Sequence, residues 1–392
     1  MRTDLRCQGD VELEKKLLAE PEIRRTIEAA EKKNDLGARK ALLATAVRVA
    51  PELSPRLDAI LKHCVEKLGV TSPIETYVYA SASFNAGMLR PEKGRVFLLI
   101  TSSLLESFDD EELRFAIGHE LGHHVFEHHK IPLTLDAAEA VGPLAMSLFA
   151  WSRYAEISAD RAGLVCAGKL DPAARTLFKL ASGLHTDVVK MSADALLSQA
   201  IDIREEIRRA TNANAAPSNE WFATHPFSPL RLRAVKAFSD TKELGGERPL
   251  PDVEVEVAEL MSLMEPTYLQ EKSEPAELMR RLLLAGAVAV ANVSGGISPE
   301  EKKVIDRFFG AGSADSFNAK ALTADLERRI NDVKAKVPKT KQIQVLRDLC
   351  LVALADGHAD EAERSLLATI AKGLEVGGDV VERTLAAPPL LD

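Results

Sequence analysis

His119-Glu120-Leu121-Gly122-His123 is an HExxH sequence inside a stretch with strong helical periodicity. A helix turns once every 3.6 residues, so the two histidines project from one face and can bind a single zinc ion. Glu120 then lies beside the metal as a candidate general base. The motif predicts the working part of a zinc hydrolase, although two histidines on one helix face also occur as solvated side chains without a metal.

The residues around the motif favour a well-formed helix. Asp109 followed three residues later by Glu112 is typical of a capping box, which begins a helix. Apolar residues then recur at helical spacing: Leu113, Ala116, Ile117 and Leu121. The motif is therefore expected well inside the helix, where both histidines have the required geometry.

A third protein ligand is needed, and His129 is the nearest candidate. It stands ten residues after His119, the spacing of the HExxHxxGxxH pattern. That pattern needs a glycine to turn the chain back toward the metal, and Phe126 occupies the position. We therefore reject His129 as a ligand and predict that His124, His128 and His129 form the polar end of the helix.

Glu156 is the second candidate for the third ligand. It is four residues before Asp160, so both carboxylates share one helix face. In a zinc site Glu156 would bind the metal and Asp160 would accept the spare N–H of a ligating histidine. Arg153 and Arg161 flank the pair, so surface charge on an exposed helix is the alternative interpretation.

These motifs together resemble a known family, the gluzincin peptidases that include the bacterial membrane protease HtpX, the CAAX prenyl endopeptidases and a mitochondrial inner-membrane stress protease. The resemblance rests on HELGHH at 119–124, ExxAD at 156–160 and HP(x)4R from His225 to Arg231, and it covers about residues 53–240. It implies that His225 helps to stabilise the oxyanion and that Arg231 braces the site.

Two segments before the motif predict strands, Ile74–Ala80 and Arg95–Thr101. The glycines, Asn85 and Pro91 between them predict a loop. The resemblance implies that the strand preceding the HExxH helix, Val96–Ile100, is a sheet edge to which an extended peptide binds, whereas an ordinary buried strand is the alternative. The family's Asn-Ala-Phe segment survives only as Asn85-Ala86-Gly87.

Composition restricts the partners and the location. The net charge of -9 disfavours nucleic acid and anionic membranes. No apolar run approaches the ~20 residues that span a bilayer, and the N-terminus has no signal core. The four cysteines, Cys7, Cys64, Cys166 and Cys350, show no paired spacing, which fits reduced thiols. We expect a cytoplasmic protein without membrane insertion.

Four parts of the chain are predicted: an N-terminal helical segment (1–52), the metallopeptidase domain (53–240), a linker (241–275) and a second helical module (276–392). We expect the first segment either to cap the peptidase domain or to contact another chain. The last module resembles the TerB-like domains of tellurite resistance. Asp356, Asp360 and Glu363 there suit a bound cation, but their spacing fails the EF-hand template, so we favour helix capping.

The predicted fold class is α+β and predominantly α-helical, with a zincin-like catalytic domain that contains a small sheet and the HExxH helix, followed by an all-α bundle. The predicted function is zinc-dependent hydrolysis of extended or unfolded polypeptides, in protein quality control or a stress response. One zinc ion is expected on His119, His123 and Glu156. The alternative is a non-catalytic scaffold in which zinc braces the fold and the C-terminal module recruits a stress-response protein.

Overall fold

The computed structural model describes ten segments of the chain: residues 1–33, 37–132, 143–184, 193–209, 224–264, 273–293, 296–309, 318–354, 358–377 and 379–386. The chain divides into two compact units. The first lies within Met1–Pro132, Trp151–Asp202 and His225–Met261. The second includes the helices from Glu274 to the C-terminus. Helices predominate and the sheet is small, which confirms the predicted α+β fold class.

The helices that lie wholly or partly in the first unit are α1 (Gln8–Ala19), α2 (Pro21–Lys33), α3 (Ala38–Thr45), α4 (Pro55–Leu68), α5 (Ser102–Ser107), α6 (Asp110–Val125), α7 (Pro143–Ala167), α8 (Leu170–Ser182), α9 (Ala193–Arg209), α10 (Ser228–Ser239) and α11 (Leu250–Ser262). Short 3-10 turns occur at Thr3–Leu5, His128–Lys130 and Lys242–Leu244.

The sheet of the first unit contains β1 (Val47–Arg48), β2 (Ile74–Tyr79), β3 (Ala86–Glu92) and β4 (Arg95–Thr101), in the order β1-β2-β4-β3. β2 runs parallel to β4, and β3 runs antiparallel to it. One face buries Tyr77 and Phe97 against Leu42 of α3. β2 and β4 are the two strands that the sequence predicted.

β3 corrects two expectations. The residues between the predicted strands were expected to form a loop, yet Ala86–Glu92 pair with β4. Pro91 lies where the β3–β4 register shifts, between Leu89 and Glu92, and an edge strand tolerates such a proline because one side of it needs no ladder hydrogen bonds. The strand expected at the edge, Val96–Ile100, lies between β2 and β3, so the alternative interpretation as a buried strand is right.

The N-terminal helices belong to the first unit. Helices α1 and α2, both within the predicted N-terminal helical segment, are separated at Glu20, where an extended backbone ends α1 and Pro21 begins α2. Leu5, Cys7 and Leu17 are fully buried. Of the two alternatives left open by the sequence, the N-terminal segment therefore packs within its own chain.

Residues 241–275, predicted as a linker, contain α11. Its buried face consists of Val253, Val257, Leu260 and Met261. The first compact unit extends to Met261, so at least this part of the segment is folded against the peptidase side of the chain. The sequence indicates a short helix around residues 255–264 within this segment, and α11 begins five residues earlier, at Leu250.

The second unit is a helical bundle of α12 (Glu274–Val293), α13 (Pro299–Phe309), α14 (Ala319–Ala324), α15 (Leu326–Lys336), α16 (Lys339–Ala353), α17 (Glu361–Gly373) and α18 (Asp379–Ala386). α12 is its centre, because α12 buries almost every residue from Leu282 to Ala291 and contacts α14 to α17.

The acidic residues singled out in the second unit begin helices. Asp360 and Glu363 form a reciprocal capping box at the start of α17, with both hydrogen bonds at 2.8 Å. Ser298 and Glu301 make the same two bonds at the start of α13. Asp356 lies outside the described residues. The geometry supports helix capping for Asp360 and Glu363, as the sequence favoured.

The two longest apolar stretches of the sequence lie in or overlap α7 and α12. In the described part of the chain, no helix is both long and apolar enough to cross a bilayer.

Candidate metal centre

Helix α6 presents the two histidines of the HExxH motif. The predicted capping box fixes its start, since the Glu112 N–H donates to Asp109 Oδ1 and the Asp109 N–H donates to Glu112 Oε2, both at 2.9 Å. The buried Glu112 carboxylate also accepts a hydrogen bond of 2.7 Å from Lys179 Nζ of α8. His119 and His123 therefore lie in regular helix, well beyond the capped end.

Small residues bring α6 against α7. A Cβ atom added to Gly122 would lie 2.8 Å from Ala162 Cβ and 3.0 Å from Ala159 Cα. One added to Gly118 would lie 2.7 Å from Cys166 Cβ and 3.0 Å from Gly163 Cα. Each distance is shorter than an ordinary carbon contact of about 3.5–4.0 Å. The two helices can approach this closely only because these positions carry no side chain.

Glu156 of α7 faces both histidines. The Nε2 atoms of His119 and His123 are 3.1 Å apart. Glu156 Oε2 lies 3.4 Å from His119 Nε2, and Oε1 lies 3.2 Å from His123 Nε2. Tetrahedral ligands about 2.1 Å from zinc are separated by about 3.4 Å, so the three donors are spaced as one zinc ion requires. In the described residues, these three side chains form a cluster that could hold a metal.

Hydrogen bonding leaves the correct atoms free for a metal. His119 Nδ1 lies 2.9 Å from Asp160 Oδ1, so Nδ1 carries the proton and the lone pair of Nε2 faces the cluster. Within the described part of the chain, the buried Glu156 Oε2 accepts no hydrogen bond, although Arg231 Nη2 is 3.2 Å away. Two imidazole nitrogens and a carboxylate oxygen are donors that zinc prefers.

Arg231 of α10 holds Asp160, the carboxylate that contacts His119 Nδ1, through two hydrogen bonds. Its Nε donates to Asp160 Oδ2 at 2.9 Å, and its Nη2 donates to Oδ1 at 2.7 Å. Burial alone would raise the pKa of Asp160, but the charge and hydrogen bonds of Arg231 outweigh it and lower the pKa. Asp160 is thereby kept as an ionised acceptor for His119.

The two glutamates of the site have oppositely shifted pKa values. Burial raises the pKa of Glu120, although the neighbouring histidines partly oppose the shift. Burial acts in the same direction on Glu156, but the charges of His225, Arg231 and His119 hold its pKa well below the usual value. Two carboxylates with separated pKa values suit two different roles, an anionic ligand and a proton carrier.

His225 lies at the open side of the cluster. Its Nε2 is 3.5 Å from Glu156 Oε1, and 60% of its side chain is exposed. The residue precedes Pro226, two positions before α10 begins, and α10 also carries Arg231. A single short segment thus places His225 at the exposed side of the cluster and Arg231 against Asp160.

Comparison with known proteins agrees with this geometry. The model of peptidase family M48 matches residues 51–139 and 131–239. We refer to residues 51–239, which match this family model, as the M48 domain. A second family model, tellurite resistance protein TerB, matches residues 280–385. The M48 domain holds all three candidate ligands, and the TerB domain coincides with the helical bundle of the second unit.

Three relatives are similar to this chain. The plastoglobule-localized metallopeptidase 48 of Arabidopsis thaliana is 29% identical over 221 residues, which cover 51% of this chain and 62% of the relative. An HtpX homologue of Pyrobaculum calidifontis is 25% identical, covering 46% and 67%. An HtpX homologue of Bacillus subtilis is 26% identical, covering 43% and 65%. The chain thus spans about three fifths to two thirds of these relatives. No solved structure matches it.

His129 lies outside the cluster of candidate ligands in the described structure. The cluster consists of His119, His123 and Glu156 without it. The His129 ring stacks instead on His124, with ring centroids 6.1 Å apart, and burial lowers the pKa of His129 to about 4. Rejecting His129 for lack of a glycine at Phe126 agrees with this placement.

His128 and Asp10 lie next to the metal cluster, and the sequence analysis did not place either residue there. His128 was expected at a polar helix end, and this is wrong because its side chain is buried between His123 and Asp10. The signal for His128 was its place in a histidine-rich stretch. Asp10 has no comparable signal, since it is 118 residues away in sequence and stands in an ordinary charged helix.

Proposed function

We propose that this chain is a zinc-dependent metalloendopeptidase that hydrolyses extended or unfolded polypeptides. The observation that carries the proposal is the convergence of His119 Nε2, His123 Nε2 and the Glu156 carboxylate, with pairwise distances of 3.1–3.4 Å. Glu120 follows His119 directly on the same helix. Similarity to M48 peptidases supports the same function.

His119, His123 and Glu156 would hold the zinc ion. When bound there, zinc supplies Lewis-acid chemistry, which lowers the pKa of water and polarises a peptide carbonyl. Three protein ligands leave one position for water or substrate, as catalytic rather than structural zinc sites do. Asp160 and Arg231 support these ligands. Asp160 orients His119, and Arg231 keeps Asp160 ionised and in place.

Glu120 carries the proton in the proposed mechanism. Its carboxylate takes a proton from the attacking water and then gives it to the amine that leaves. A raised pKa suits both steps, because the protonated form is reached more easily than for an ordinary glutamate. His225 is proposed to donate a hydrogen bond to the oxyanion of the tetrahedral intermediate, from the exposed side of the cluster.

An extended substrate would suit the edge of the sheet. β3 has a partner strand on one side, and Arg90 of β3 donates hydrogen bonds to the carbonyls of His129 and Lys130, just after α6. Backbone pairing to β3 would bring a peptide beside the metal helix with little demand on its sequence. Such loose selectivity would suit a role in protein quality control or a stress response.

Glu120→Gln is the direct test, with Glu111→Gln as the matched control because Glu111 lies on the same helix but pairs with Lys169 far from the cluster. Digestion of an unfolded protein and zinc content are measured for both variants. We expect Glu120→Gln to retain one zinc per chain and lose about 10²–10⁴-fold in turnover, the usual contribution of an acid–base residue. Unchanged turnover by Glu120→Gln would reject Glu120 as the proton carrier. Zinc held tightly by a wild-type protein that cleaves no peptide would reject the peptidase function in favour of a scaffold.

For the location we propose the cytoplasm, supported by four cysteines that are all buried and free. For the TerB domain we propose a protein partner. Cross-linking the full chain in cells, followed by identification of peptides joined to residues 280–385, would test both.

A further inference from the structure

Asp10 is a fully buried carboxylate in the first turn of α1, outside the matched M48 region. Its two oxygens are saturated by donors from four side chains. Oδ1 accepts from Arg6 Nη2 at 2.8 Å and Trp151 Nε1 at 2.9 Å, and Oδ2 accepts from Arg6 Nε at 2.7 Å, Ser158 Oγ at 2.7 Å and His128 Nε2 at 3.0 Å. Such a carboxylate can only accept, so His128 Nε2 must carry a proton.

The other nitrogen of His128 faces a metal ligand. His128 Nδ1 lies 2.8 Å from His123 Nδ1, and only one proton fits between them. With Nε2 protonated toward Asp10, the neutral His128 ring offers the lone pair of Nδ1. His123 Nδ1 must then carry the shared proton, which leaves the lone pair of His123 Nε2 pointing at His119 and Glu156. If His128 Nδ1 donated the shared proton instead, a neutral His123 would carry its own proton on Nε2, the atom that must bind the metal.

Both histidine ligands are thus oriented by a carboxylate, but by different routes. His119 contacts Asp160 directly, whereas His123 reaches Asp10 through His128. The two carboxylates come from distant parts of the chain, α7 and α1. Outer hydrogen bonds of this kind fix the tautomer and ring orientation of a ligand, and their loss typically costs about 10–100-fold in metal affinity.

We propose that Asp10 and His128 are positioning residues of the metal centre, which hold His123 in the tautomer whose Nε2 binds the metal. The N-terminal helix is then a working part of the site. This inference rests on the proposed ligand set, but it concerns metal affinity and not peptide hydrolysis.

The attachment of α1 is close enough for this role. Ser158 Oγ, which donates to Asp10, also accepts the Cys7 N–H at 3.0 Å. A Cβ atom added to Gly9 would overlap the ring of Tyr154. The backbone just before Asp10, from Cys7 to Gly9, is therefore held against α7, the helix that carries Glu156.

The test compares zinc dissociation constants, measured by competition with a chromogenic chelator, and thermal unfolding of the metal-free protein. His128→Leu removes the acceptor for His123, whereas His128→Asn keeps an oxygen near the place of Nδ1. Asp10→Asn removes the charge that fixes the tautomer. Glu14→Gln is the control, because Glu14 pairs with the same Arg6 at 2.8 Å and does not touch His128.

We expect His128→Leu and Asp10→Asn to weaken zinc binding about 10–100-fold, and His128→Asn and Glu14→Gln to stay within about 3-fold of wild type. Wild-type affinity in a folded His128→Leu protein, or equal loss in His128→Leu and His128→Asn, would overturn the inference. If Asp10→Asn does not fold, the two His128 variants decide. A wild-type chain that binds no zinc would overturn the proposed function as well, whereas equal affinity in all variants overturns this inference alone.

Discussion

Gly122→Ala is the substitution that most sharply tests how the site is assembled. Gly122 precedes the ligand His123 in α6 and faces α7, where the added methyl would lie 2.8 Å from Ala162 Cβ and 3.0 Å from Ala159 Cα. No polar group or charge changes. Any effect on metal binding must therefore come from the separation of the two helices that carry the ligands.

Two free energies of opposite sign decide the stability. Alanine favours a helix over glycine by about 1 kcal/mol, whereas overfilling a close contact costs about 1–3 kcal/mol. Relief of the contact to an ordinary distance requires a movement of roughly 0.7–1 Å. Functional sites tolerate misplacement of about 0.5 Å. We expect a net loss of about 1 kcal/mol in unfolding free energy and about a 10-fold loss of zinc affinity.

Chemical denaturation of the metal-free protein and chelator competition measure the two quantities separately. Gly37→Ala is the control, because an added Cβ there meets nothing within 4 Å. The double variant Gly122→Ala/Ala162→Gly removes the closest opposing atom and is expected to recover most of the zinc affinity. A Gly122→Ala protein that binds zinc as wild type does, and is more stable by the full helix-propensity gain, would refute this prediction.

Three further outcomes are expected. Arg231→Met leaves Asp160 and Glu156 as buried, uncompensated charges and should lower the unfolding free energy by about 3–5 kcal/mol in denaturant titrations, with Arg231→Lys intermediate. His129→Asn should keep one zinc per chain by metal analysis; loss of zinc would restore His129 as a ligand. Asp360→Ala should cost about 1 kcal/mol of stability through its capping box and leave zinc affinity unchanged, and an equally stable variant would contradict the capping geometry.

The elements with strong local signals were predictable from the sequence. The capping box at Asp109 and the apolar face after it located α6, and the spacing of four residues placed His119 and His123 on one face. Glu156 and Asp160 were found by the same rule on a second helix. These predictions need only the geometry of a single helix, which a sequence pattern contains.

The errors arose where the environment overrides local preference. β3 carries Gly87 and Pro91, residues that disfavour strands, and is a strand because β4 offers a free edge beside it. His128 carries the signature of a solvated helix end, and is buried because Asp10 of a distant helix supplies its hydrogen-bond partner. A pattern in a short stretch of sequence cannot show which distant residue will pack against it or hydrogen-bond to it.

The directions and the distances of the metal donors thus have separate origins. Helical spacing on α6 and α7 gives the direction of each ligand side chain, and short sequence motifs are enough to predict these directions. The distances depend on Gly118 and Gly122, whose missing side chains let the helices meet, and the donor atoms depend on Asp160 and Asp10, which decide where each histidine keeps its proton. Substitutions that keep every ligand should therefore weaken zinc binding if they push α6 and α7 apart or let a histidine ligand adopt the other tautomer. The Gly122 variants test the first cause, and the His128 variants test the second.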